Sequence, residues 1–125
     1  LHSRVIVGCA PSDLHEIPAL ILAIYLRREG YRVEYLGQDV NVDDLLEYVR
    51  AERPAMVILT ANATGPAHEL QRVYAGLNVM RPKPKFGFGG RAFIISPALR
   101  EAVPGLYLGD TLSAGVTRVK QLLGA

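Results

Sequence analysis

Asp13-x-His15 follows a short apolar run and precedes a stretch with helical spacing. A carboxylate two residues before an imidazole can take the proton of one ring nitrogen and leave the other nitrogen's lone pair aimed outward. Metal-binding histidines are oriented and made more basic in this way. The same triplet also serves a plain helix start, with Asp13 as the cap and His15 as a polar loop residue, and spacing alone favours that plainer reading. Other chemistry is sparse. Gly87-Phe88-Gly89-Gly90 resembles a phosphate loop only loosely, because the residue three past Gly90 is Phe93, and no GxxxxGK[ST] occurs. No Ser, His and Asp set supports a hydrolase. Cys9 reads as a small buried hydrophobe, His68 as a solvated helix-start residue, His2 as uninformative, and Arg81, Lys83 and Lys85 as a basic patch on solvent or a partner.

These groups need a scaffold, and composition bounds it. The 125 residues make one domain, with 50% hydrophobic and 21% charged residues, so the chain is not a disordered tail. Fourteen basic residues against twelve acidic ones give +2, too small an excess to argue for direct nucleic-acid contact or a membrane surface. One cysteine excludes an internal disulfide and a cysteine-based zinc site. No apolar run approaches the roughly 18 residues of a membrane span. The chain begins with Leu1 and lacks a signal-peptide pattern, so it is expected to be a single domain, residues 1–125, cut from a longer cytoplasmic protein.

The positioning elements alternate. Strands are expected at 4–10, 32–36, 55–60, 86–88 and 106–108. Helices are expected from about Ile17 to Gly30, from the Asn41 cap to Glu52, over 67–80, from a Ser96 cap to 102, and over 112–123. Such alternation implies an α/β fold, a five-stranded parallel sheet with helices on both faces. The flavodoxin-like (Rossmann-like) order 2-1-3-4-5 fits five units, with a classical Rossmann half-sheet as the competing order. Ligands of such sheets sit beyond the carboxyl ends of the strands, which singles out the loops 11–15, 61–66, 89–93 and 109–111. The first and third strands end in Ala10 and Thr60 rather than acids, which argues against a phosphate-accepting receiver domain.

Asp13-x-His15-x-x-Pro18 resembles the DxHxxG motif of cobalamin-binding domains and lies where that family carries it. Thr60-Ala61-Asn62 is similar to the family's SxL after the third strand, and Gly89-Gly90 to its GG after the fourth. The stretch from His15-Glu16-Ile17 through Leu26-Arg27-Arg28 to Tyr35-Leu36-Gly37 resembles the cobalamin domain of light-responsive MerR-type transcriptional regulators. The likeness covers nearly the whole chain and departs from the pattern at Pro18, Thr60 and Asn62.

The resemblance implies a cofactor, adenosylcobalamin or methylcobalamin, held with its dimethylbenzimidazole base off cobalt and threaded into a slot between strands and helices. His15 would be the metal ligand, with Asp13 behind it. Ser12, Leu14, Glu16 and Ile17 would complete the first loop. Small residues (Ala61, Ala63, Gly89, Gly90 and Ala92) would make room for the base, and Thr60, Thr64 and Asn62 would meet the tail. Arg91 would meet a propionamide or phosphate or cover the rim. Gly109, Asp110 and Thr111 would border the rim or cap the last helix. Ile17, Leu20 and Ile21 would offer apolar surface to the tail or fill the core, and core packing is the reading favoured for these three. The implied partners are an upstream helical bundle and DNA-binding domain, with a homo-oligomer allowed. Two alternatives stand beside this regulator reading. One is a corrinoid carrier of a methyltransferase or mutase. The other is a flavodoxin-like domain that has lost its cofactor, motivated by Pro18 and Asn62.

Overall fold

The computed structural model describes residues 3–124; His2 lies outside them. In chain order the elements are β1 (Arg4–Cys9), α1 (Ile17–Arg28), β2 (Arg32–Gly37), α2 (Val42–Glu52) and β3 (Met56–Thr60). They continue with α3 (Thr64–Asn78), β4 (Lys85–Gly89), α4 (Arg91–Ile95), α5 (Leu99–Ala102), β5 (Leu106–Tyr107) and α6 (Leu112–Leu123). The strands form one parallel sheet in the order β2-β1-β3-β4-β5, the flavodoxin-like order. The order reverses between β1 and β3, so the loops at their carboxyl ends flank a crevice.

Alternating side chains of the central strands feed two cores. Ile6, Val57, Leu59, Phe86 and Phe88 pack on one face against Leu45 and Val49 of α2 and Leu70, Val73 and Leu77 of α3. Val5, Val7, Met56 and Ile58 pack on the other against Leu22, Ala23 and Leu26 of α1 and Val119 of α6. All of β3 is buried because helices cover it on both sides, which is why it reads as a continuous apolar run.

Local signals explain most boundaries. The Asn41 side chain accepts from the Asp44 amide (3.0 Å) and caps α2. Gly30 takes φ +100° just past α1. Three expectations fail for local reasons. Helix α3 starts at Thr64 rather than at 67, because Pro66 fits a first turn that needs no amide there. Helix α4 occupies residues read as loop, and its five residues are too few to show a period. Ser96 ends α4 instead of capping the next helix, which begins after Ala98.

A fourth correction bears on the site. Ile17, Leu20 and Ile21 do not fill the core and are 68%, 38% and 39% exposed. Helix α1 is apolar almost all round, and it buries the face carrying Ala19, Leu22, Ala23 and Leu26. Its other apolar face is left at the surface.

Candidate functional site

The loop after β1 is built around the Asp13 carboxylate, which is almost fully buried. Its Oδ1 accepts from the His15 amide (2.9 Å) and its Oδ2 from the Asn62 amide (2.6 Å). The Asp13 carbonyl accepts from the Asp39 amide (2.8 Å), while the Asp39 side chain accepts from the Ser12 amide (2.9 Å), Ser12 having φ +69°. Asp13 therefore does not cap α1, whose N-terminal residue Glu16 makes no side-chain cap. It ties the loops after β1 and β3 together instead. A buried carboxylate without a cation is tolerated when amides satisfy its oxygens.

The His15 side chain is 77% exposed, and its Nδ1 stands 3.5 Å from Asp13 Oδ1. That is too long for a good hydrogen bond, so the carboxylate serves the backbone first and the imidazole second. The His15 carbonyl accepts from the Asn62 amide group (3.3 Å) and from the Cys9 thiol (3.6 Å). Burial, and then the charge of Asp13, pushes the Cys9 thiol up to about 11. Leu14 is exposed. The Glu16 carboxylate accepts from the Tyr35 hydroxyl (2.7 Å), which fixes the entry to α1, and burial raises the Tyr35 phenol well above its ordinary value.

Beside this loop, over the carboxyl ends of β3 and β4, lies a groove of about 510 Å³. Ile58, Thr60 and Gly89 form its floor, and Ile17, Pro18 and Ile21 of α1 form one wall. The opposite wall is the segment Leu108–Leu112 with Gly115, and Asn62, Gly90, Arg91 and Ile94 close the mouth. Two observations test it as a ligand site. Thr60 Oγ1 is buried without a hydrogen-bond partner, a cost that a polar ligand atom would relieve. A Cβ placed on Gly89 would meet nothing within 4 Å, so that floor is bare. Gly90 differs. It has φ +118°, and a Cβ there would fall 2.3 Å from the Ala61 carbonyl, so only glycine fits. A flat apolar heterocycle with a polar edge fits these walls and the unpaired hydroxyl.

The remaining expected site residues divide. Gly109, at φ +113°, and Thr111 border the groove, and the Thr111 hydroxyl also accepts from the Ala114 amide (3.0 Å) to cap α6. Ala61 and Ala92 make no room along the groove. They lie in the core on the opposite face of the sheet, where the Ala92 amide donates to the Ala61 carbonyl (3.2 Å). Thr64 is an exposed first-turn residue of α3, away from the groove lining. Sequence reasoning missed the clamp behind Asp110. Tyr107 (2.5 Å) and Arg100 (2.8 Å) both donate to its carboxylate, and the Arg100 guanidinium lies 4.2 Å from the centre of the Tyr107 ring. Burial first, and then Asp110, push the Tyr107 phenol up to about 12. No periodicity marks such a cluster. Among the described residues, no three His, Cys, Asp or Glu side chains gather to hold a free metal ion. A metal already held in a macrocycle needs only one protein donor, and His15 offers one.

Fold and site together define an α/β cofactor-binding domain with a histidine loop beside an apolar groove. A family model described as the B12 binding domain matches residues 3–114. The chain belongs to the B12-binding domain family, and its cofactor is a cobalamin. It is 32% identical over 126 residues to the methanol–corrinoid protein of Methanosarcina barkeri, covering 94% of this chain and 49% of that one. It is 34% identical over 82 residues to the HTH-type transcriptional repressor CarH of Myxococcus xanthus, covering 66% of this chain and 27% of that one. The fold matches a cobalamin-binding protein from Desulfitobacterium hafniense DCB-2 with a TM-score of 0.88 at 21% identity, over 98% of this chain and 60% of that one. The chain thus spans about half or less of the curated relatives' length. Among the described residues, no helix is long and apolar enough to cross a membrane.

Proposed function

We propose that this domain carries adenosylcobalamin or methylcobalamin base-off, with His15 Nε2 as the lower cobalt ligand and the nucleotide tail in the groove. The observation that carries this reading is the exposed His15 imidazole on a hydrogen-bonded loop beside a groove with an unpaired buried hydroxyl. When bound, the cofactor would supply a reactive cobalt–carbon bond. The chain's own contributions are structural. His15 donates a lone pair, Asp13 and Asn62 hold its loop, and Thr60 donates to or accepts from the tail. Ile17, Ile21, Leu108 and Leu112 exclude water from the base. The domain by itself is a cofactor holder rather than a catalyst.

We further assign it to a cytoplasmic regulator that responds to light or to cobalamin, as one domain behind an upstream helical bundle and a DNA-binding domain. The likeness to CarH supports this reading. The corrinoid-carrier reading has its own support, since the match to the methanol–corrinoid protein covers more of this chain. With the full-length protein, cobalamin-dependent and light-reversible operator binding would favour the regulator, and methyl turnover with a partner methyltransferase would favour the carrier. For the ligation itself, purified protein mixed with methylcobalamin is expected to show a base-off/His-on absorption spectrum, lost in His15→Ala. A base-off spectrum in the wild type, the same as that of His15→Ala, would contradict it.

A further inference from the structure

The loops after β1, β3 and β4 meet at one side chain that departs from the family pattern. The Asn62 amide group donates to the His15 carbonyl (3.3 Å) and reaches Asp13 Oδ2 (3.4 Å), and its Oδ1 accepts from the Arg91 amide (3.4 Å). The same residue lines the mouth of the groove, and its own amide holds the buried Asp13 carboxylate at 2.6 Å. A leucine there would keep the backbone bond and lose every side-chain bond. We infer that Asn62 is a positioning residue that couples the groove to the ligand loop: its side chain spans His15 and the glycine turn, so that the groove wall and the imidazole move as one unit.

The inference rests on the reading that His15 ligates cobalt and adds to it a reason for the polar residue. These three side-chain contacts are long and individually weak, and they add a side-chain tie to loops whose other links include the Asp13 carboxylate on the Asn62 amide (2.6 Å) and the Ala92 amide on the Ala61 carbonyl (3.2 Å). Their loss would release the Arg91 amide and one anchor of the His15 carbonyl while leaving the core intact.

The test compares wild type with Asn62→Leu. In cofactor-free protein the Arg91 amide is expected to exchange hydrogen about 3- to 10-fold faster in the variant, with core amides of β3 unchanged. At saturating methylcobalamin the His-on fraction read from the absorption spectrum is expected to fall by at least about half, while binding of the cofactor itself persists. A merely structural role would lower the melting temperature and leave the His-on fraction of the folded protein at the wild-type level, and that result would overturn the inference. Unchanged exchange at Arg91 would overturn it as well, even if wild type itself never shows a His-on spectrum. That last spectrum would overturn the ligation reading, whereas a His-on wild type with an identical Asn62→Leu variant would overturn only the brace.

Discussion

Replacing Asp13 by asparagine is nearly isosteric and tests whether the carboxylate is a structural tie. In the wild type one oxygen accepts from the His15 amide at 2.9 Å and the other from the Asn62 amide at 2.6 Å, with the residue 3% exposed. An asparagine has one oxygen and one NH2, so whichever way it turns, one backbone donor faces another donor. The loss combines a charge-assisted bond with a buried amide left unpaired, about 2–4 kcal/mol in all. For a chain of 125 residues that corresponds to a drop in melting temperature of about 8–16 °C. Thermal unfolding of cofactor-free protein followed by circular dichroism measures it. His15→Ala serves as the control, since an imidazole 77% exposed should change stability by no more than about 0.5 kcal/mol. A drop under about 3 °C for Asp13→Asn would refute the reasoning, because the carboxylate would then be serving the imidazole alone.

Gly89→Leu should fill the groove floor, where a Cβ meets nothing within 4 Å, and leave stability within about 1 kcal/mol of wild type. Titration with methylcobalamin should show affinity weakened by about 10- to 100-fold or more. Cys9, with its thiol pushed up to about 11, has roughly one thiol in a thousand ionised near pH 8. A disulfide reagent should leave it unmodified in the folded protein and label it fully in urea. Glu34 is held below its ordinary value of 4.5, first by the Tyr48 hydroxyl and then by Arg4. The stability it contributes is therefore present above the unfolded value and lost as pH falls through the lower folded one. Tyr48→Phe should flatten that acid limb in denaturant titrations carried from the unfolded value of 4.5 downward in pH.

The strand order was legible because strict alternation of short apolar strands and helices allows few topologies. The loops were legible for the same reason, since parallel strands put their carboxyl ends on one side. What stayed hidden depends on side chains meeting across long separations. Asp13 and Asn62 are 49 residues apart, and their pairing turns a presumed helix cap into a loop tie. Ala61 and Ala92 are small residues in the right loops, but Ala61 directly follows β3, Ala92 lies on α4, and both join the core on the opposite face of the sheet. Ile17 and Ile21 have core-like chemistry, and a helix apolar on two faces cannot announce which one it buries. The Arg100–Tyr107–Asp110 clamp joins two short elements through polar contacts that leave no pattern in the chain.

The proposed ligation can be read at the cobalt itself. Protein carrying 15N-labelled histidine, loaded with cobalamin and reduced to the paramagnetic Co(II) form, should give an electron paramagnetic resonance spectrum split into doublets by one coupled 15N, against triplets for unlabelled protein. His15→Ala should remove the label dependence. Triplets that persist with the labelled protein would mean that the cofactor's own base still holds cobalt, and they would contradict the role given to His15.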